Sequence, residues 1–164
     1  MLHLVRRTCE AVYEELAPAV LGYFRGHGVR DPEGLTGDVF VGVTTGVQRF
    51  RGDATALRKW VFTIAHHRLI DEYRRTSRDP QHLVADVPDS VHSEQSGEDG
   101  ELRHALSQLT NEQREVVVLR FVADLALKDV ARIVGKSSSA VKMLQARGLE
   151  ELRRVLVTES ASRA

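Results

Sequence analysis

Hydrophobic residues recur along this chain at helical spacings, and nowhere do they alternate as a strand would. Over residues 9–25, Cys9, Val12, Tyr13, Leu16, Val20 and Phe24 share one face of an amphipathic helix. Pro18 removes a backbone donor inside it and predicts a kink, and Gly26, His27 and Gly28 end it. Asp31-Pro32-Glu33 opens a second helix: a capping side chain, a proline suited to the first helical position, and an acid at the positive end of the dipole. Its stripe is Val39, Phe40, Val43, Val47 and Phe50. Gly34, Gly37, Gly42 and Gly46 lie along it, each costing about 1 kcal/mol relative to alanine in a helix interior. Such a helix needs tertiary packing or a partner. After Arg51-Gly52-Asp53 a third helix runs over residues 55–77, with Leu57, Trp60, Val61 and Ile64, then Leu69, Ile70 and Tyr73, on its apolar side.

Farther on, residues 102–109 read as helical, and Thr110 and Gln113 match a capping box for a helix carrying Val116, Val117, Leu119, Arg120 and Phe121. Between Leu125 and Leu156 two more patterns meet at a short turn. Leu127, Val130, Ala131 and Val134 form the first stripe; Val141, Leu144, Gly148, Leu149, Leu152 and Leu156 form the second. Gly135 can take the left-handed conformation that ends a helix, and Ser137 or Ser138 can cap the next. Ser139, Lys142, Met143, Ala146 and Arg147 point away from the second stripe. A short helix, a tight turn and a second helix with small, polar and basic residues near its start make a helix-turn-helix, suited to phosphates and base edges in a major groove. An ordinary helical hairpin in a core would show the same periodicity.

Charge changes the picture. Lys+Arg and Asp+Glu balance at 23 each over the 164 residues, but unevenly. From Arg49 to Arg78 there are eight Lys/Arg (Arg49, Arg51, Arg58, Lys59, Arg68, Arg74, Arg75, Arg78) against three acids, a surface for phosphates or simply a solvated face. Residues 79–101 hold seven acids, no Lys or Arg, and few large apolar residues. They read as a flexible acidic linker, 23 residues able to span up to about 75 Å. The fold class is therefore all-α: two small helical domains, residues 1–78 and 102–164, joined by the linker over residues 79–101, the C-terminal domain a helix-turn-helix.

The single cysteine, Cys9, excludes an internal disulfide framework and a Cys-based zinc site, and its place on an apolar stripe makes it core. No apolar run of 18 residues and no signal-peptide core occur, which predicts a cytoplasmic protein. Trp60 reads as core packing rather than a base-stacking surface. His66 and His67 are adjacent, hence about 100° apart on a helix, and cannot chelate one metal as an i, i+4 pair could. There is no phosphate-cradling glycine loop, metal-ligand spacing or nucleophile–base motif, so neither catalytic residues, cofactor, metal nor small-molecule substrate is expected. A helix-turn-helix regulator with an N-terminal sensor or dimerisation domain is the competing reading.

Taken together, these blocks resemble an extracytoplasmic-function sigma factor of bacterial RNA polymerase. DPEGLTGDVFVGVTTGVQRFRG is similar to the family's polymerase-binding helix, ALRKWVFTIAHHRLIDEYRR to the helix that opens and reads the −10 element, and LTNEQREVVVLRFVADLALKDVARIVGKSSSAVKMLQARGLEELRRVL to the −35 reading domain. The resemblance implies that Glu33, Leu35, Asp38, Val39 and Phe40 lie on or under the surface docking core RNA polymerase. It places Trp60, His66, His67 and Arg68 near the displaced −10 strand, with Asp71, Arg74 and Arg75 holding helix geometry and phosphates. Ser138, Ser139, Lys142, Met143 and Arg147 would face the −35 major groove of promoter DNA. It further implies an anti-sigma factor as partner, and the sequence predicts no appended regulatory domain after Ala164. Gly34 and Gly37 stand where the family commonly has an acid and a Gln, His67 replaces a frequent Asn, and Leu144 and Gln145 replace an Arg and an aliphatic residue.

Overall fold

The computed structural model describes residues 2–78 and 97–164, with side chains from Thr8 onward. Among the described residues there are seven α-helices and no strand: α1 (Leu2–Gly26), α2 (Pro32–Gly46), α3 (Ala54–Arg78), α4 (Glu98–Ser107), α5 (Asn111–Phe121), α6 (Leu127–Val134) and α7 (Ser138–Arg163). Most of the acidic linker, residues 79–96, lies outside the described residues. Its end is helical: α4 begins at Glu98, four residues earlier than the apolar pattern suggests. Glu98, Asp99 and Glu101 occupy its first turn, where negative charge meets the positive end of the helix dipole.

The N-terminal unit packs α1, α2 and α3 together. Val12, Leu16, Val20, Tyr23 and Phe24 of α1 meet Val39, Phe40 and Val43 of α2 and Val61, Phe62, Ala65 and Leu69 of α3. The expected stripe of α1 is corrected at two places. Tyr13 is 52% exposed, touching Phe40 only edge-on, while Tyr23 is wholly buried. The helix continues through Pro18, which sits on its exposed side. Asp31 caps α2 by accepting from the Gly34 N–H at 2.9 Å, with Pro32 in the first turn. Asp53 does the same for α3 through the Ala56 N–H. Val47 and Phe50 fall in the turn after α2 rather than on the helix, and Phe50 stacks on Trp60 with ring centroids 5.2 Å apart.

The glycines of α2 divide into two kinds. A Cβ on Gly46 would lie 2.7 Å from Trp60 Cζ2, so only a bare backbone admits the indole. A Cβ on Gly37 meets nothing within 4 Å. Gly37→Ala should therefore stabilise the protein by about 0.5–1 kcal/mol through helix propensity. Gly46→Ala should cost about 1–3 kcal/mol by displacing Trp60. Urea unfolding of both variants tests the pair; equal shifts would remove the close-approach account of Gly46.

In the C-terminal unit the capping box at Thr110 and Gln113 forms both of its hydrogen bonds. Arg114 gathers the carbonyls of Leu106, Ser107 and Leu109, satisfying the end of α4. Gly135 (φ 68°) ends α6 in the left-handed conformation, and Ser137 caps α7 through the Ala140 N–H. The buried face of α7 is Val141, Gly148, Leu152 and Val155. Leu149 is turned outward instead, because Gly148 faces α5 so closely that its Cβ would lie 2.8 Å from Val117 Cγ2.

The two units are not held apart. Their buried apolar residues form one continuous cluster, and α5 is buried from Glu115 through Leu119. Five consecutive buried positions cover every side of a helix, so α5 is interior over that run: α7 covers one side of it and α1 another.

Candidate nucleic-acid interface

Every side chain expected at the −35 groove is exposed. Ser138, Ser139, Lys142, Met143 and Arg147 share the outward arc of α7's first turns, and Met143 is 54% exposed. The arc is held from behind. Arg120 donates to Gln145 Oε1 at 3.0 Å and to the Leu125 carbonyl at 2.6 Å, fixing α7 to α5 and to the α5–α6 connection. Lys136, in the turn, pairs with Glu112 at 2.8 Å. Sequence reasoning gave Arg120 no role, since its partners lie beyond its own helix, in the connection to α6 and in α7.

The −10 set is divided among four surroundings. Trp60 is half-buried between Phe50 and Gly46. His67, Asp71 and Arg74, at i, i+4 and i+7, lie exposed on one face, and Arg78 extends it. Arg68 and Arg75 border a groove between α3 and the start of α2, lined also by Asp31, Leu35, Asp38, Asp71 and Glu72. Arg75 is bidentate with Glu72 there, at 2.8 and 2.9 Å from Nη2. His66 departs from the rest: its Nδ1 lies 2.7 Å from Glu115 Oε1 of α5.

On α2, Glu33 and Asp38 are exposed, Leu35 is half-buried, and Val39 and Phe40 lie beneath, packed toward α1. Glu33 pairs with Arg25 at 3.2 Å. Val41, 62% exposed, adds an apolar residue to this helix that the stripe did not include, because it falls one position off it.

Glu115 is the polar centre of the molecule. Its carboxylate accepts from the Tyr23 hydroxyl at 2.8 Å and from His66 on Oε1, while His27 Nε2 stands 2.8 Å from Oε2, off the line of a hydrogen bond. Tyr73 contacts the far nitrogen of His27, Nδ1, at 3.2 Å. Burial alone would raise the Glu115 pKa, but the close contacts and charge of His27 and His66 outweigh it and hold it at about 2. Tyr23 is pushed well above its ordinary value by burial, then by the neighbouring carboxylate. Burial likewise raises Tyr73, against the lowering influence of Arg114. Sequence analysis missed this cluster. An acid at the head of a valine run was visible, but its partners are 92 and 49 positions away. Among the described residues no cluster of three His, Cys, Asp or Glu could hold a metal ion, and no helix is long and apolar enough to cross a membrane.

Two helical units, the second a helix-turn-helix with the outward arc of α7 open, define a two-domain helix-turn-helix protein. Residues 12–79 match Sigma-70 region 2 and residues 105–154 match Sigma-70 region 4. The chain is similar to the RNA polymerase sigma factor YlaC of Bacillus subtilis (strain 168), 29% identical over 161 residues, covering 91% of this chain and 92% of that protein. It is also similar to the ECF RNA polymerase sigma factor SigD of Mycobacterium tuberculosis (strain H37Rv), 26% identical over 166 residues, covering 93% of this chain and 78% of that one. The fold is shared with the sigma factor RpoE of Bartonella quintana, solved with the anti-sigma factor NepR: TM-score 0.76, 22% identity, 90% of this chain and 95% of that chain. CnrH, solved with the cytosolic domain of CnrY, gives a TM-score of 0.69 at 22% identity, over 93% of this chain and 90% of that chain. The chain belongs to the extracytoplasmic-function sigma factors.

Proposed function

We propose that this protein is an alternative sigma factor that binds core RNA polymerase and starts transcription at promoters carrying a −35 element read by α7 and a −10 element opened at α3. The observation that carries this is the open arc from Ser138 to Arg147 in a region 4 unit joined to a region 2 unit in the same chain. Lys142 and the serines Ser138 and Ser139 suit phosphates, Arg147 a phosphate or guanine, and Met143 a thymine methyl. Glu33, Leu35 and Asp38, over Val39 and Phe40, are the docking face for the polymerase. His67, Asp71, Arg74 and Arg68 lie along the −10 strand, with Arg75 bracing Glu72.

No covalent chemistry is asked of the chain. Opening DNA costs about 1.4 kcal/mol per base-pair step, which base capture and phosphate contacts offset in part. Each unit alone binds weakly; mounted on polymerase, the two act bivalently. The protein works in the cytoplasm, where its polymerase is. As with the neighbours solved alongside NepR and CnrY, an anti-sigma factor is its partner.

Run-off transcription with purified bacterial core polymerase, with and without this protein, on a promoter library tests the reading. The expected result is initiation that depends on the protein, at promoters sharing one −35/−10 pair. Absence of both initiation and core binding would overturn it, as would nanomolar, sequence-specific promoter binding by the protein without polymerase.

A further inference from the structure

Gln145 lies on the flank of α7, outside both the buried face and the middle of the outward arc. Val141, four residues before it, is buried, and Gly148, three after it, faces α5. Ser138 and Lys142, at i−7 and i−3, are exposed along the same edge. The Gln145 amide is oriented from behind by Arg120, whose Nε donates to Oε1 at 3.0 Å. A guanidinium has donors only, so it is the amide oxygen that takes this side. Arg120 is itself fixed, because its Nη1 donates to the Leu125 carbonyl at 2.6 Å. The amide nitrogen is thereby turned away from Arg120 with both of its hydrogens. Among the described residues it bonds to nothing, and it is not one of the buried polar atoms left unpaired, so it opens to solvent. A long side chain on a helix flank is ordinarily free to turn; this one is ordered before any ligand arrives, which removes part of the entropic cost of a contact.

We propose that Gln145 is a phosphate-contact residue of the −35 element: Arg120 holds its amide oxygen, and its amide nitrogen donates to one backbone phosphate beside Lys142. A helix about 10–12 Å across fills a major groove about 12 Å wide. The middle of its outward arc then meets base edges, and its flanks meet the sugar-phosphate walls. Ser138, Lys142 and Gln145 form such a flank, presenting a hydroxyl, an ammonium and an amide that can all donate. Phosphate oxygens, which only accept, suit that row. The positive charge of Arg120 behind the amide polarises its N–H bonds toward an anion. The contact rests on the sigma-factor reading, which puts α7 in the −35 groove. It fixes register rather than sequence choice, because a phosphate is the same at every base pair. Being neutral, Gln145 displaces no counterion, so its loss lowers affinity at every salt concentration by the same factor, unlike the loss of Lys142.

The test is promoter binding by holoenzyme carrying wild type, Gln145→Ala or Gln145→Glu, on duplexes with a single methylphosphonate placed at each linkage of the −35 element in turn. A methylphosphonate removes the charge and one acceptor oxygen of that phosphate alone. On unmodified promoter Gln145→Ala is expected to bind about tenfold more weakly than wild type, with the same salt slope. Gln145→Glu keeps an acceptor for Arg120 but has no donor. It should lose at least as much affinity, with a urea unfolding midpoint no lower than that of wild type. At one linkage the methylphosphonate should cost wild type about tenfold and Gln145→Ala less than about threefold, the coupling expected of two groups in contact. Equal costs to both proteins at every linkage overturn the contact. So does Gln145→Glu binding like wild type, which would leave Gln145 as a brace for Arg120 only. A loss that disappears when one −35 base pair is changed would assign Gln145 to that base and overturn the phosphate. Wild-type holoenzyme that does not distinguish an intact from a scrambled −35 element overturns the sigma-factor reading itself; distinction without a coupled linkage overturns this contact alone.

Discussion

Replacing Lys142 and Arg147 together by alanine should lower initiation at −35-dependent promoters by about 30-fold or more, with little change in stability. Both side chains are exposed on the first turns of α7 and take part in none of the contacts that hold α7 to α5. A bidentate arginine contact to a guanine is worth about 1–3 kcal/mol, and a lysine on a phosphate adds a salt-dependent contribution, so about 2 kcal/mol together is a conservative sum. At 1.4 kcal/mol per decade this is about 30-fold in promoter affinity. The variant should also have a shallower salt dependence of promoter binding by holoenzyme, the slope falling by about one to two. Holoenzyme filter binding at several salt concentrations checks both, with a scrambled −35 promoter as reference. If wild type and variant discriminate the two promoters equally, α7 does not read DNA through these residues.

A second large effect should appear in acid. Glu115 has its carboxyl held at about 2 in the folded protein against 4.5 for a free glutamate. A depressed carboxylate contributes stability that is fully present above about pH 4.5 and is lost as pH falls through about 2. The difference corresponds to about 3 kcal/mol, of which more than half should be gone by about pH 3. The groups facing the carboxylate are Tyr23 from α1, His27 from the turn that follows it and His66 from α3, with Tyr73 of α3 against His27 and Arg114 of α5 beside Tyr73. The linkage applies to whichever transition exposes Glu115, opening or unfolding. Urea titrations of wild type and Glu115→Gln between pH 7 and pH 2.5 should show a gap that is constant down to about pH 5 and closes below it. A gap independent of pH would mean that Glu115 is not held as a buried carboxylate.

What the chain alone determined follows from local rules. Helix ends depend on residues within four positions, so the Asp31 and Thr110 caps, the Gly135 terminator and a serine cap at Ser137 or Ser138 could be read from spacing, and the structure selects Ser137. The outward arc of α7 was legible for the same reason: once one side of a helix is apolar, the residues opposite it are settled by its period. Where two positions competed for the buried face, periodicity was insufficient. Tyr13 against Tyr23, and Gly148 against Leu149, were decided by which partner helix could approach. The glycines of α2 were costs without a reason until Trp60 was seen against Gly46. Acids that resembled linker at residues 98–101 proved to be the favourable first turn of α4. Above all, the resemblance grouped His66 with the residues of a DNA surface. Tertiary structure turned it onto Glu115, because a buried carboxylate takes its partners through space, from positions that no spacing along the chain connects.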